Sequence, residues 1–276
     1  MAVQVPTMNP AMMMGNVQNA AKNTSTTQKI VLAVVLILIF YFIYVTFIQT
    51  EDNKMLLKLH PAKQSKLISK DNIPAITTSD YTIAVWIFIN DWNYNYGEKK
   101  NVLSRFFMDT NEADTSKRLK PAPSFTLGTH TNDLSVDIAY FPEEGSSNTP
   151  SKIHTCTIRG LPLQRWCCVT MTINNRVLDL YLDGKLTKTC MIPGVPQSGI
   201  SSDMYISDIN AKDTKIPGFS GFLSDLRVYK YAINPRQAYN LYKQGNSASG
   251  MSAMLEKYKL KFALMENNRE VNTVLL

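Results

Sequence analysis

Trp166-Cys167-Cys168-Val169-Thr170-Met171-Thr172-Ile173-Asn174-Asn175-Arg176-Val177-Leu178-Asp179-Leu180-Tyr181-Leu182-Asp183-Gly184-Lys185-Leu186-Thr187-Lys188-Thr189-Cys190 is the stretch from which the fold is read. Three runs, 168–173, 177–182 and 185–190, are rich in β-branched and aliphatic residues, as pleated half-buried strands are. Asn174-Asn175 and Asp183-Gly184 separate them. Both pairs tolerate the positive φ that two-residue hairpin turns require. The stretch therefore predicts a three-stranded antiparallel meander.

The same pattern extends on both sides. Tyr81-Thr82-Ile83-Ala84-Val85-Trp86-Ile87-Phe88-Ile89 alternates at period two, and 101–108, 124–128, 134–141, 204–209 and 221–229 read as further strands. Polar loops fall at 90–97, 109–123 and 142–151. Pro235 opens a short helix that Asn234 can cap, with Ala238, Leu241 and Tyr242 on one face. The predicted class is all-β: an antiparallel β-sandwich over 75–246 with one short helix near its end. Residues 49–74, polar and Lys-rich, read as a basic juxtamembrane stalk or an extended first strand. In 247–276 a helical stripe through Met254, Leu255, Tyr258, Phe262 and Met265 competes with alternation of Tyr258, Leu260, Phe262 and Leu264 against lysines. The alternation favours a terminal β-hairpin.

Ahead of this body, residues 30–48 read IVLAVVLILIFYFIYVTFI, without charge, Pro or Gly. As a helix this run is about 28 Å long, close to the bilayer hydrocarbon thickness, and it satisfies its own backbone. It predicts a single transmembrane helix. Residues 1–29, rich in Met, Asn, Gln and Thr, form the expected disordered tail. The formal net charge of +7 is concentrated outside the body: 71–246 is nearly neutral, while 51–70 carries a net +3. Lys54, Lys58, Lys63 and Lys66 flank the apolar run and are expected to face anionic headgroups. They outnumber Lys22 and Lys29 on the other side, so the positive-inside rule expects the body on the cytosolic face. The sequon Asn23-Thr24-Ser25 precedes the helix and agrees. Four cysteines, Cys156, Cys167, Cys168 and Cys190, fit a reduced cytosolic domain; a Cys156 bridge to Cys168 or Cys190 is the alternative. Cys167 and Cys168 point to opposite faces of a strand and do not pair. The charge pattern excludes nucleic acid as a partner.

Three segments resemble the laminin-G-like, concanavalin A-like jelly-roll family. Tyr81 to Ile87 is similar to its early strand, whose Trp (here Trp86) packs between the sheets in that family. Trp166-Cys167-Cys168-Val169-Thr170-Met171-Thr172 with Leu180-Tyr181-Leu182-Asp183-Gly184-Lys185 resembles its hairpin. Phe219-Ser220-Gly221-Phe222-Leu223-Ser224-Asp225-Leu226-Arg227-Val228-Tyr229 with Ala232-Ile233, Ala238 and Leu241-Tyr242 resembles its closing strand and helix. These are packing residues and imply fold more than function. The anchor, the segment from Trp86 to Trp92 and the sandwich together also resemble membrane and minor capsid proteins of large icosahedral double-stranded DNA viruses. That likeness implies a helix in a virion's internal membrane and a sandwich meeting the capsid shell.

Candidate chemistry is sparse. Glucan-cleaving relatives carry E-x-D-x-x-E, which is absent, so no enzymatic activity is expected; Asp179 and Asp183 read as strand and turn residues. Trp92, Tyr94 and Tyr96, interleaved with Asn90, Asn93 and Asn95, form a candidate glycan or partner loop. Asp109, Asn111 and Asp114 offer oxygens suited to calcium but lack an EF-hand's Gly turn and bidentate Glu, and Asp203, Asp208 and Asp213 form a similar loop. His60, His130 and His154 are far apart, and no zinc spacing or phosphate loop appears. No cofactor is expected. The expected partners are a lipid bilayer and other proteins, capsid proteins by the resemblance, with glycan as the alternative.

Overall fold

The computed structural model describes residues 26–47, 53–76, 79–142, 149–197, 202–211, 214–246, 261–266 and 269–275. The elements, in order, are α1 (Thr26–Phe47), β1 (Asn53–Pro61), β2 (Lys66–Ile68), β3 (Tyr81–Asp91), β4 (Lys100–Met108), β5 (Leu119–Leu127), β6 (Leu134–Pro142), β7 (Lys152–Ile158), β8 (Trp166–Asn174) and β9 (Val177–Leu182). They continue as β10 (Lys185–Met191), β11 (Gly194–Pro196), β12 (Met204–Ile206), β13 (Ile209–Ala211), β14 (Thr214–Ile216), β15 (Ser220–Tyr229), α2 (Pro235–Lys243), β16 (Lys261–Glu266) and β17 (Arg269–Leu275). The chain divides into two units, Met1–Glu51 and Asp52–Leu276.

In the first unit, α1 is a helix of 22 residues. Its side chains are described from 29 to 41, and every one of them is exposed. Among the described residues no helix is long and apolar enough to cross a membrane. The helical backbone itself continues to Phe47. The tail expected over 1–29 lies outside the described residues except for 26–29, which are helical.

The second unit is an antiparallel sandwich. One sheet has six strands in the order β1-β15-β3-β8-β9-β10; the other has seven, in the order β11-β6-β5-β4-β12-β2 with β7 also paired to β6. The period-two pattern is the cause. Tyr81, Ile83, Val85, Ile87 and Ile89 of β3 and Cys167, Val169, Met171 and Ile173 of β8 face Leu103, Phe125, Leu127, Val136 and Ile138 of the second sheet in one buried core. The meander forms as expected, with Asn175 and Asp183 at φ 54° and 50°.

Four expectations are corrected. Trp86 does not pack between the sheets: Val85 and Ile87 hold the inward positions, so Trp86 faces outward and stacks on Tyr242 with ring centroids 5.8 Å apart. There α2 roofs the outer face, over a small cluster of Ala84, Tyr181, Tyr229, Ile233 and Ala238. The stalk reading of 49–74 gives way to its alternative, an extended first strand, from Asn53 onward: β1 pairs with β15 from Asn53↔Tyr229 to Pro61↔Phe222, and β2 pairs with β12. The reduced-cysteine reading also fails. Cys156 and Cys190 form a disulfide, their Cα atoms 6.1 Å apart, while Cys167 and Cys168 are buried free thiols on opposite faces. Lastly, β5 begins at Leu119 and runs through Pro121 and Pro123, longer than the strand expected over 124–128. The terminal extension forms the expected hairpin, β16 pairing with β17.

The registers define two poles. Asn53, Tyr81, Tyr229 and the 174–175 turn gather at one. The β1–β2, β3–β4, β5–β6, β7–β8 and β14–β15 connections gather at the other.

Candidate functional site: the loop pole

The β3–β4 connection is built by its own polar residues. Asp91 Oδ1 accepts the Asn93 amide at 2.9 Å, and the backbone turns back through Tyr96 N–H to Asn93 O and Glu98 N–H to Asn95 O. Asn95 and Gly97 sit at φ 51° and 85°. Asn tolerates this left-handed region and Gly enters it freely, which explains both residues here. Gly97 N–H then donates to Thr129 O at 3.0 Å and ties the loop to the β5–β6 connection.

The three aromatic candidates diverge. Trp92 is half-buried and packs on the main core, with Lys100 Nζ 4.5 Å from its ring centroid. Lys100 is 1% exposed and also donates to Glu98 O at 3.3 Å. Burial lowers its pKa, and the nearby Glu98 charge partly offsets this. Tyr94 is covered in the same way by Lys63, Nζ 4.5 Å from the ring. Tyr96 alone of the three is presented, 58% exposed, with His130 tilted against it at 5.3 Å. Two of the three rings are thus roofed by cations, an arrangement that stabilises the loop.

Lys63 therefore belongs to the sandwich pole and not to a free membrane flank. Lys58 lies within β1, Lys54 pairs with Val228 in the same ladder, and Lys66 opens β2. The calcium candidates are tied up in loop closure. Asp109 is buried; its Oδ2 accepts the Ser151 amide and hydroxyl, both at 2.7 Å, and its Oδ1 accepts the Asn111 amide at 3.0 Å. Burial pushes its pKa up, but these hydrogen bonds and Lys120 outweigh it and hold the carboxyl below its ordinary value. Asp114 caps the turn at Thr115–Lys117 through Ser116 and pairs with Lys117 at 3.2 Å. Asp203 accepts the Lys70 amide at 2.8 Å; Asp213 lies outside the described residues. No cluster of three or more metal-ligating acids, histidines or cysteines occurs among the described residues. Asp183 accepts the Cys168 amide and Arg165, and Asp179 accepts the Thr189 hydroxyl.

One feature escaped the sequence reading. Phe222, Phe88 and Trp166 stand in register on three neighbouring strands, with centroids 6.5 and 5.5 Å apart, on the outer face beside the loop pole. Each lies on the opposite parity to its strand's core residues. That parity was the available signal.

Comparison with known proteins bears on the fold. Solved structures with a similar fold include the binding domain of botulinum neurotoxin serotype G (13% identity, TM-score 0.45, 68% of this chain and 46% of that one). The receptor-binding domain of the C/D mosaic serotype is similar at 11% identity and TM-score 0.48, over 68% of this chain and 42% of that one. The present chain spans less than half of either, and a likeness this distant carries no functional argument. No curated protein matches the sequence. A family model does, over residues 62–238, more than half of the chain. The chain belongs to the concanavalin A-like lectin/glucanases superfamily.

Proposed function

We propose that this chain is a single-pass membrane-anchored interaction protein without catalytic activity, which presents the loop pole of its sandwich to a macromolecular partner. The observation that carries the reading is α1: the side chains from Ile30 to Tyr41 are apolar apart from the tyrosine hydroxyl, and all are exposed. A helix hydrophobic all round is a core helix or a membrane span, and this one is not buried. In the sequence the uncharged run extends from 30 to 48, which as a helix corresponds to about 28 Å, close to the hydrocarbon thickness of a bilayer. The lysine count that favoured a cytosolic sandwich has lost weight, because those lysines lie in a folded domain, and domains translocate largely regardless of charge. The resemblance to viral membrane and minor capsid proteins supports a protein shell as the partner.

Alkaline carbonate extraction of membranes carrying the full chain tests the anchor. The chain is expected to stay with the membranes, and a Leu36→Lys/Ile37→Lys variant to be released; release of the unaltered chain refutes the reading. Photo-crosslinkers placed at Tyr96 and Phe222 should capture one protein species, and a crosslinker at Lys188, away from the pole, should not. A second reading, glycan binding, is favoured by membership in a lectin-containing superfamily and by the exposed Tyr96–His130 pair. It requires a glycan-array signal from the full chain that Tyr96→Ala abolishes.

A further inference from the structure

A sandwich has two lateral sides, and this one closes them by different means. On one side β1 and β2 are the edge strands. β2 is only three residues long, β1 has a bulge between Met55 and Leu57, and Lys58 and Lys66 are exposed there. Short strands, bulges and lysines are the usual protection of an open edge. On the other side β10 ends the six-stranded sheet, and β7 lies at the margin of the other.

β10 is weakly held by packing. Its residues Lys185 to Thr189 and Met191 are all exposed, and only Cys190 is partly buried against the core. Its ladder to β9 is interrupted between Leu186 and Lys188. The strand beneath it is different: β9 buries Leu178 and Leu180 completely. Across the gap, Cys156 of β7 is 1% exposed within the main core. The one β10 side chain that reaches the core is therefore the one bonded to the opposite sheet.

We propose that Cys156–Cys190 is a redox latch: it locks edge strand β10 to β7, and where the chain is reduced β10 loosens and exposes the ladder edge of β9. The latch forms by thiol–disulfide exchange with a protein disulfide. The Cys156 and Cys190 thiols give up two protons and two electrons, the donor's S–S bond breaks, and the donor leaves as a dithiol. The sandwich must accordingly meet a disulfide donor, whichever side of a membrane it occupies. The other two cysteines do not take part: Cys167 and Cys168 are buried, and burial pushes both thiols up to about 12, far from the thiolate that exchange requires. This inference stands apart from the anchoring proposal.

The test uses the full chain, with free thiols trapped by a maleimide at lysis. After denaturation without reductant, two thiols should label, and four after reduction. Hydrogen exchange on the purified chain should then show the amides of 185–191 losing protection at least tenfold on reduction, while 81–91 is unchanged. Cys156→Val, which keeps an apolar side chain without the sulfur, should match the reduced chain. Four labelled thiols without reductant overturn the proposal, and so does equal β10 protection in the oxidised and reduced chains.

Discussion

Removing Trp92 separates a binding platform from a structural roof. The ring packs on the core on one side and meets the Lys100 ammonium at 4.5 Å on the other. Full truncation of a buried Trp costs about 3–5 kcal/mol, and this half-buried ring belongs at the lower end, about 3 kcal/mol. The desolvated cation–π contact adds about 1–2 kcal/mol, because Trp92→Ala leaves a buried lysine with Glu98 O as its remaining described contact. A loss of about 4 kcal/mol in a domain of this size lowers Tm by roughly 8–16 °C. Tyr96→Ala, at an exposed ring, should stay within about 0.5 kcal/mol. Thermal melts of the full chain in detergent measure both. The control is a cycle with Lys100→Met, whose single change should cost little since it removes a buried charge along with its contact. Coupling between the two sites should be about 1 kcal/mol or more. A Trp92→Ala variant melting with the unaltered protein, or zero coupling, refutes the structural reading of this ring.

Three further outcomes follow from other contacts. Ser151→Ala should cost about 1.5–3 kcal/mol at pH 7 through the lost charged hydrogen bond to Asp109. Because that carboxyl is held below its ordinary value, its contribution is present above the unfolded pKa of about 3.9 and disappears as pH falls through the folded one. Urea midpoints should therefore differ at pH 7 and converge in strong acid; a constant gap contradicts the assignment. Asn234→Ala opens the capping box with Gln237 and should lose about 1 kcal/mol, seen as faster amide exchange in the first turn of α2 with β3 unaffected. Gly221→Ala places a Cβ against the Phe88 carbonyl and should destabilise by more than about 2 kcal/mol, whereas Gly160→Ala, with open space but φ 68°, should cost only about 1 kcal/mol.

The meander and β3 were legible because period-two alternation and turn chemistry are local. The rest depended on partners distant in sequence. β5 hid behind Pro121 and Pro123, which argue against a strand until the chain is seen to accommodate them. β2, β11, β12, β13 and β14 have three residues each, too few to show a period. Trp86 was placed by family likeness when its own parity with Val85 and Ile87 already put it outside. Nothing in the sequence pairs Cys156 with Cys190 over Cys168; the sheets' approach does. The same holds at the pole. The aromatic loop could be picked out, but Lys63 and Lys100 cover its rings from outside the loop, and His130 arrives from 34 residues further on.

The pairing of β1 with β15 has a mechanical meaning. Residues 48–52 join α1 to a strand that enters at one pole and ends at the other. If a partner grips the loop pole while α1 is held, tension runs along β1 and loads its whole ladder in shear, with all of the rungs from Asn53 to Pro61 sharing the force. A partner gripping the β10 side would instead pull across the strands and part the rungs one at a time. Resistance to force is a rate property of unfolding. The strand that follows α1 in the chain is thus oriented to withstand a pull from the loop pole and to yield to one from the flank.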